Sequence, residues 1–188
     1  MYDIPAIIFA GGKSRRMKRD KALLPFKNFS SLSEFQHHKL STQFKNVYLS
    51  AKKNKFDFPC AFIEDYQEES SPLVALVSIF KTLKTDAIFV LSVDAPLIDN
   101  TIIDNLYKTY ISHPHLDAII AKSPKGVQPL CGIYCRTILP LAEQYLSHNT
   151  HKLTKLLSES NIQMVTFKNE KAFTNINHPH EYDTLLLS

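Results

Sequence analysis

Two patterns of apolar and polar positions alternate along the chain. Short, nearly continuous apolar runs predict strands at 4–10, 47–51, 60–63, 87–93, 117–122, 131–135 and 163–167. Between them, longer amphipathic stretches predict helices at 32–44, 72–84, 99–112, 137–147, 151–160 and after Pro179. Strand and helix in alternation is the α/β pattern, which places helices on both faces of a largely parallel sheet. The run AIFVLSV, residues 87–93, is the most apolar and reads as a central strand covered on both sides, ending at Asp94. Ser71-Pro72 marks a helix start, with serine capping and proline at the first helical position. The triplets His113-Pro114-His115 and His178-Pro179-His180 read as turns, because proline restricts itself and its predecessor. Nothing repeats, and the 188 residues, 44% of them apolar, are enough for one sizeable core. The expectation is one domain over 1–188.

Glycine scarcity changes the picture at the first loop. The chain has four glycines, and two of them, Gly11 and Gly12, stand directly after the first strand. Without a β-carbon the backbone there can approach a ligand and adopt positive φ. GGKS ends like a Walker A loop, but that motif needs glycine where Ile7 stands, and no glycine lies between 13 and 125 to complete a GxGxxG. Both common phosphate loops are therefore excluded.

Charge sharpens the same region. The net charge of +4 hides twelve Lys/Arg against four Asp/Glu in residues 1–60. Lys13, Arg15, Arg16, Lys18, Arg19 and Lys21 fall within nine positions, a density suited to a polyanion such as a triphosphate or a nucleic acid backbone. The three cysteines read as reduced, since Cys131 and Cys135 share a strand, where four steps of about 3.3 Å hold them too far apart for a disulfide. No CxxC or HxxxH pairing supports a structural zinc. No run approaches the roughly 18 apolar residues of a membrane span, and the N-terminus lacks a signal-peptide pattern, so the expectation is cytoplasmic.

What remains is strand, FAGG, a basic loop and DK, followed by a buried strand ending in SVDAP. The segment FAGGKSRRMKRDKALLPF resembles the nucleotidyltransferase signature L-x-G-G-x-S-x-R-M-G-x-D-K, in particular that of the molybdenum cofactor guanylyltransferases. Further similar segments run in family order: FIEDY at 62–66, SPLVAL at 71–76, LSVDAPLI at 91–98, QPLCGIY at 128–134 and NINHPHEYD at 175–183. Two positions depart from the family pattern, Lys18 and Ala75, each where it has glycine. A residue other than glycine at positive φ costs about 1–2 kcal/mol, so Lys18 bears on loop geometry. Ala75 adds a methyl near the expected base pocket.

The resemblance implies a Rossmann-like three-layer sandwich of the nucleotide-diphospho-sugar transferase type, its N-terminal half binding nucleotide and its C-terminal half molybdopterin. It implies transfer of GMP from GTP to the phosphate of molybdopterin already carrying molybdenum, with release of pyrophosphate. Phe9, Ala10, Gly11 and Gly12 would meet base and ribose through their backbone, and Arg16 and Lys21 the triphosphate. Ser50 and Asp65 would line the guanine side, and Gln128, Pro129, Leu130, Asn175 and Asn177 the molybdopterin side. Transient partners would be molybdenum-insertion proteins or molybdoenzyme apoproteins, with neither nucleic acid nor membrane. The residues support part of this independently: open α/β sheets bind ligands beyond the carboxyl ends of their strands, which places Asp94 to hold Mg²⁺.

Alternatives stand beside each reading. Asp94 could instead cap a helix starting near Pro96. Asp65, with Glu64, Glu68 and Glu69 near it, could belong to a solvated acidic loop, and Asn175 and Asn177 could cap a turn before Pro179. For the whole chain the rivals are transfer of CMP to molybdopterin, a sugar-phosphate nucleotidyltransferase, and a nucleic-acid binder using RRMKRDK. Residues 10–25 hold no aromatic stacking platform for the last of these.

Overall fold

The structure, a computed structural model, describes residues 1–12, 17, 19–66 and 71–186. Seven strands, β1 (Ala6–Phe9), β2 (Val47–Ala51), β3 (Ala61–Glu64), β4 (Ala87–Ser92), β5 (Ala118–Ser123), β6 (Gly126–Cys135) and β7 (Ile162–Thr166), form one sheet in the order β3-β2-β1-β4-β6-β5-β7. β6 runs antiparallel to β4 and β5, and the other neighbouring pairs are parallel. The helices are α1 (Leu32–Ser41), α2 (Pro72–Thr82), α3 (Asn100–Ser112), α4 (Leu139–Ser147), α5 (Leu153–Ser158) and α6 (Pro179–Leu186).

Strand alternation explains the three layers. On β1, Ala6 and Ile8 face the layer that holds α1 and α3, while Ile7 and Phe9 face α2, α4 and α5. β4 repeats this, with Phe89 and Leu91 on one side and Ile88 and Val90 on the other, all fully buried. Each such side chain contributes about 1.5–3 kcal/mol relative to exposure, which makes the central strands the strongest anchor of the fold. α2 begins as its sequence indicates, Ser71 accepting from the Val74 N–H at 3.2 Å.

Several boundaries shift by one or two residues, and two move by three or more. α1 stops at Ser41 instead of 44 because Phe44 turns into the core and stacks on Phe89, ring centroids 5.2 Å apart. β6 begins at Gly126 instead of 131, so that Gln128, Pro129 and Leu130 lie within a strand. Ile120 faces Gly132 but the next residue, Ala121, faces Gln128, leaving Pro129, Leu130 and Cys131 bulged from the β5 ladder. Proline is tolerated there because a bulge needs no N–H from it.

Gly132 closes that bulge. A β-carbon on it would stand 2.5 Å from the Ile119 carbonyl oxygen and 2.8 Å from the Ile120 Cδ1, so the strands can approach only at a glycine. Gly132→Ala is expected to cost about 1–3 kcal/mol, the range for overpacking. Denaturant unfolding measures it; an unchanged midpoint would mean the strands separate freely.

Candidate functional site

The strand order reverses direction about β1 and β4, and their carboxyl ends lie side by side, Phe9 against Ser92, with the Val93 N–H donating to the Phe9 carbonyl at 3.1 Å. Such a switch point is where open α/β sheets place their ligands. The chain leaving β1 turns at Gly12, whose φ of 126° only glycine adopts without strain. Ala10 is buried, its N–H donating to the Ser50 carbonyl at 2.9 Å and its own carbonyl accepting from the Lys55 Nζ at 3.0 Å. The expected ribose contact through Ala10 thus meets a backbone N–H already committed within the protein. Gly11 and Gly12 line the cavities beside it.

Asp94 lies just past β4, where Ser92 donates to its Oδ1 at 2.6 Å and the Lys21 Nζ to its Oδ2 at 3.1 Å. The same ammonium donates to the Asn177 Oδ1 at 2.9 Å. The Lys21 and Asp94 side chains are 14% and 19% exposed, mostly withdrawn from water yet reachable by a ligand. The capping alternative for Asp94 fails, because Asp99 caps α3 by accepting from the Ile102 N–H at 3.0 Å. Nor does Asn177 spend its side chain on a cap. Glu181 instead accepts from the N–H groups of Asn177 and His178 at 2.6 and 2.8 Å. Burial works against ionising Glu181, but those donors and the flanking histidines outweigh it and hold the carboxyl below its ordinary range. The Ile176 N–H donates to the Asp94 carbonyl at 2.9 Å, which seats the 175–177 segment on the loop after β4.

Among the described residues, three cavities meet here. One, of about 120 Å³, is lined by Phe9, Gly12, Ser50, Asp65, Ala75 and Leu130 among others. A second, about 200 Å³, has Asp94, Gln128, Pro129, Leu130, Phe173 and Asn175 on its wall. The third, about 150 Å³, lies over Gly11, Gly12, Asp20, Lys21 and Asp94. Ser92 borders all three and Asp94 the last two, so the Ser92-Asp94 end of β4 is their common edge.

The first cavity has a carboxyl at its end. Asp65 is buried, which excludes the solvated-loop reading, and it accepts from the Ser50 hydroxyl at 3.2 Å. Burial pushes its carboxyl above the ordinary range, the Ser50 hydrogen bond pulls it partly back, and the Glu64 charge adds to the rise. A ligand presenting two N–H donors would relieve that penalty. On the second cavity, the bulge of β6 presents Pro129 and Leu130. The Pro129 carbonyl is held by the buried Tyr134 hydroxyl at 2.6 Å, and the Gln128 amide donates to Ser123 at 2.9 Å.

Arg16, expected at the triphosphate, lies outside the described residues, as do Lys13, Arg15 and Lys18. The departure at Lys18 is likewise outside them. Ala75, the other departure, is buried on the wall of the first cavity.

Three residues that brace the loops around the site escaped the sequence reading. From one face of α1, Gln36 donates to the Ala95 carbonyl at 3.0 Å, and Lys39 to the Pro96 and Ile98 carbonyls at 3.0 Å each. Together they hold the loop that carries Asp94, and burial pulls the Lys39 ammonium down to about 8. Their i, i+3 spacing on a helix face was the available signal. The third, Lys55, gave none.

A carboxylate at 19% exposure on two cavities fits a hard divalent ion that keeps phosphate and water ligands. Among the described residues no cluster of three His, Cys, Asp or Glu forms an all-protein cage. Cys60, Cys131 and Cys135 are free thiols.

Residues 6–164 match the family described as the MobA-like NTP transferase domain. The chain is 39% identical to the molybdenum cofactor guanylyltransferase of Campylobacter jejuni subsp. doylei, covering 97% of this chain and 95% of that protein. It is 31% identical to the protein of the same name from Helicobacter pylori, with coverage of 96% and 90%. Among solved structures, molybdopterin-guanine dinucleotide biosynthesis protein A from Archaeoglobus fulgidus superposes with a TM-score of 0.83 at 19% identity, covering 98% and 97% of the two chains, a likeness of fold.

Proposed function

The chain belongs to the MobA-like NTP transferase family, and from that premise we infer that it is a molybdenum cofactor guanylyltransferase. It transfers GMP from GTP to the phosphate of molybdopterin that already carries molybdenum. The observation that carries this reading is that the first cavity, lined by Ser50 and Asp65, shares Gly11, Gly12 and Ser92 with the third cavity, over the Asp94-Lys21 pair.

GTP enters over Gly11 and Gly12 with its base toward Ser50 and Asp65. Asp65 receives the N1 and N2 hydrogens of guanine, a pair of donors that cytosine does not present, and so favours the charged carboxylate that burial opposes. The acceptor lies along Gln128, Pro129, Leu130 and Asn175. An oxygen of its phosphate attacks the α-phosphorus of GTP, a new P–O bond forms, the bond toward the β-phosphate breaks, and pyrophosphate departs with its electron pair. Lys21 lies where it can neutralise charge on the transferred and leaving phosphates. Asp94 would hold Mg²⁺, which when bound supplies further stabilisation of phosphate charge. Asn177 keeps the Lys21 ammonium pointed at Asp94.

In this reading residues up to about β4 bind nucleotide and later ones bind molybdopterin. The protein works in the cytoplasm beside the proteins that insert molybdenum or receive the finished cofactor. No helix among the described residues is long and apolar enough to cross a membrane.

The test supplies molybdopterin and molybdate with GTP and CTP at equal concentration and separates the dinucleotide products. The guanine dinucleotide is expected in large excess. A cytosine product in excess would move the assignment to CMP transfer, and no product where a control enzyme works would sink it.

A further inference from the structure

Lys55 lies in the 52–60 connection between β2 and β3, outside every segment that the sequence reading assigned to the site, and 35 residues from Asp20 in the chain. Its Nζ donates to the Ala10 carbonyl at 3.0 Å and forms an ion pair with the Asp20 carboxylate. Ala10 is the first residue after β1, and Asp20 is the residue before the 3-10 turn Lys21–Leu23. One ammonium therefore joins the start and the end of the glycine-bearing segment. The other Asp20 oxygen, Oδ1, accepts from the Ala22 N–H at 3.0 Å and caps that turn. Lys21, its first residue, reaches Asp94 and Asn177. An unbroken series of contacts thus runs from Lys55 through Asp20 and the capped turn to the pair at the centre of the site.

The chemistry suits a fixed strut. An ammonium offers three donors and can serve a carbonyl and a carboxylate together. The Lys55 and Asp20 side chains are 24% and 34% exposed, so solvent screens the pair less than a surface pair. Lys55 is absent from the lining of the three cavities formed by described residues, and its ammonium bonds the Ala10 carbonyl and the Asp20 carboxylate.

We propose that Lys55 is a positioning residue that pre-organises the triphosphate site by holding both ends of the glycine loop, a role that rests on the guanylyltransferase reading. Without it, Asp20 and the Ala10 carbonyl lose their shared donor, and the Gly11-Gly12 turn and the Asp20-capped Lys21 turn sample arrangements relative to each other that GTP must select against. Apparent affinity then falls by the competent fraction, while the chemistry of the loaded enzyme is preserved.

The experiment compares Lys55→Met, Lys55→Arg and Asp20→Asn with the unaltered protein. Lys55→Met is expected to raise the KM for GTP about tenfold, a competent fraction of about one tenth. The kcat and the KM for molybdopterin should stay within about twofold. Lys55→Arg recovers part of the loss, and Lys55→Met with Asp20→Asn together is no worse than the stronger single change, because both break one contact. Calorimetric titration with GTP and Mg²⁺ separates the two levels of inference. If the unaltered protein fails to bind GTP, the functional reading falls. If it binds GTP and Lys55→Met binds equally well, the positioning role falls. A lowered melting temperature with unchanged KM, or a collapse of kcat with unchanged KM, also overturns it.

Discussion

Asp94→Asn is expected to lower kcat by about a thousandfold while the protein remains folded. The size follows from losing the carboxylate at the common edge of two cavities, where charge develops on the transferred phosphate in a site sheltered from water. Asparagine has the same shape, keeps an acceptor for the Ser92 hydroxyl and leaves the backbone carbonyl bonded to the Ile176 N–H. What disappears is the negative charge that faces Lys21 and would hold the divalent ion. Pyrophosphate release at saturating GTP and Mg²⁺, together with a thermal unfolding scan, measures both halves. A variant that turns over normally would make Asp94 a structural residue of the loop after β4.

Lys21→Met removes the opposite charge and is expected to lower kcat/KM by about 10²–10³, or roughly 3–4 kcal/mol of transition-state stabilisation. Most of the loss should appear in kcat, since charge on the leaving pyrophosphate grows as the bond breaks. Lys21→Arg is expected to restore little. The ammonium lies 3.1 Å from one acceptor and 2.9 Å from another, as a compact charge between two side chains, and the broad planar guanidinium does not fit that position. Steady-state kinetics over a range of GTP concentrations decides the matter. A rise in KM with normal kcat would confine Lys21 to ground-state binding.

The two results would differ in their effect on stability. In Asp94→Asn the Lys21 ammonium keeps the Asn177 oxygen as partner. In Lys21→Met the Asp94 carboxylate keeps the Ser92 hydroxyl. Neither change strands a fully buried charge, so both proteins should fold.

Much of the site could be read from residue types, and the limits of that reading have particular causes. Asp94 stood out because an acidic residue ended the most apolar strand, and Gly12 because half of four glycines stood together after another. For Asp94 the sequence left two roles open, and packing removed one by giving the cap of α3 to Asp99. Asp65 had a base-binding and a solvated-loop reading, the first favoured, and its burial removed the second. The QPL segment was legible as a motif but not as a shape. Its place on two cavity walls depends on the β6 bulge, which arises where Gly132 allows close approach and where Pro129 needs no N–H partner. Gln36, Lys39 and Lys55 passed unnoticed because a polar residue that bonds a distant carbonyl looks, in sequence, like any solvated one.

The sequence alone determined the order of helices and strands, the burial of β4 on both faces and the need for glycine after β1. These are set by interactions among near neighbours: side-chain periodicity, caps and backbone sterics. Only the tertiary structure decided which side chains meet. Lys21 and Asn177 are 156 residues apart in the chain and 2.9 Å apart in the fold. The order β1-β4-β6 and the Ile176 hydrogen bond to the loop after β4 bring them together. No local periodicity encodes such a contact, because it depends on how the whole sheet is wound.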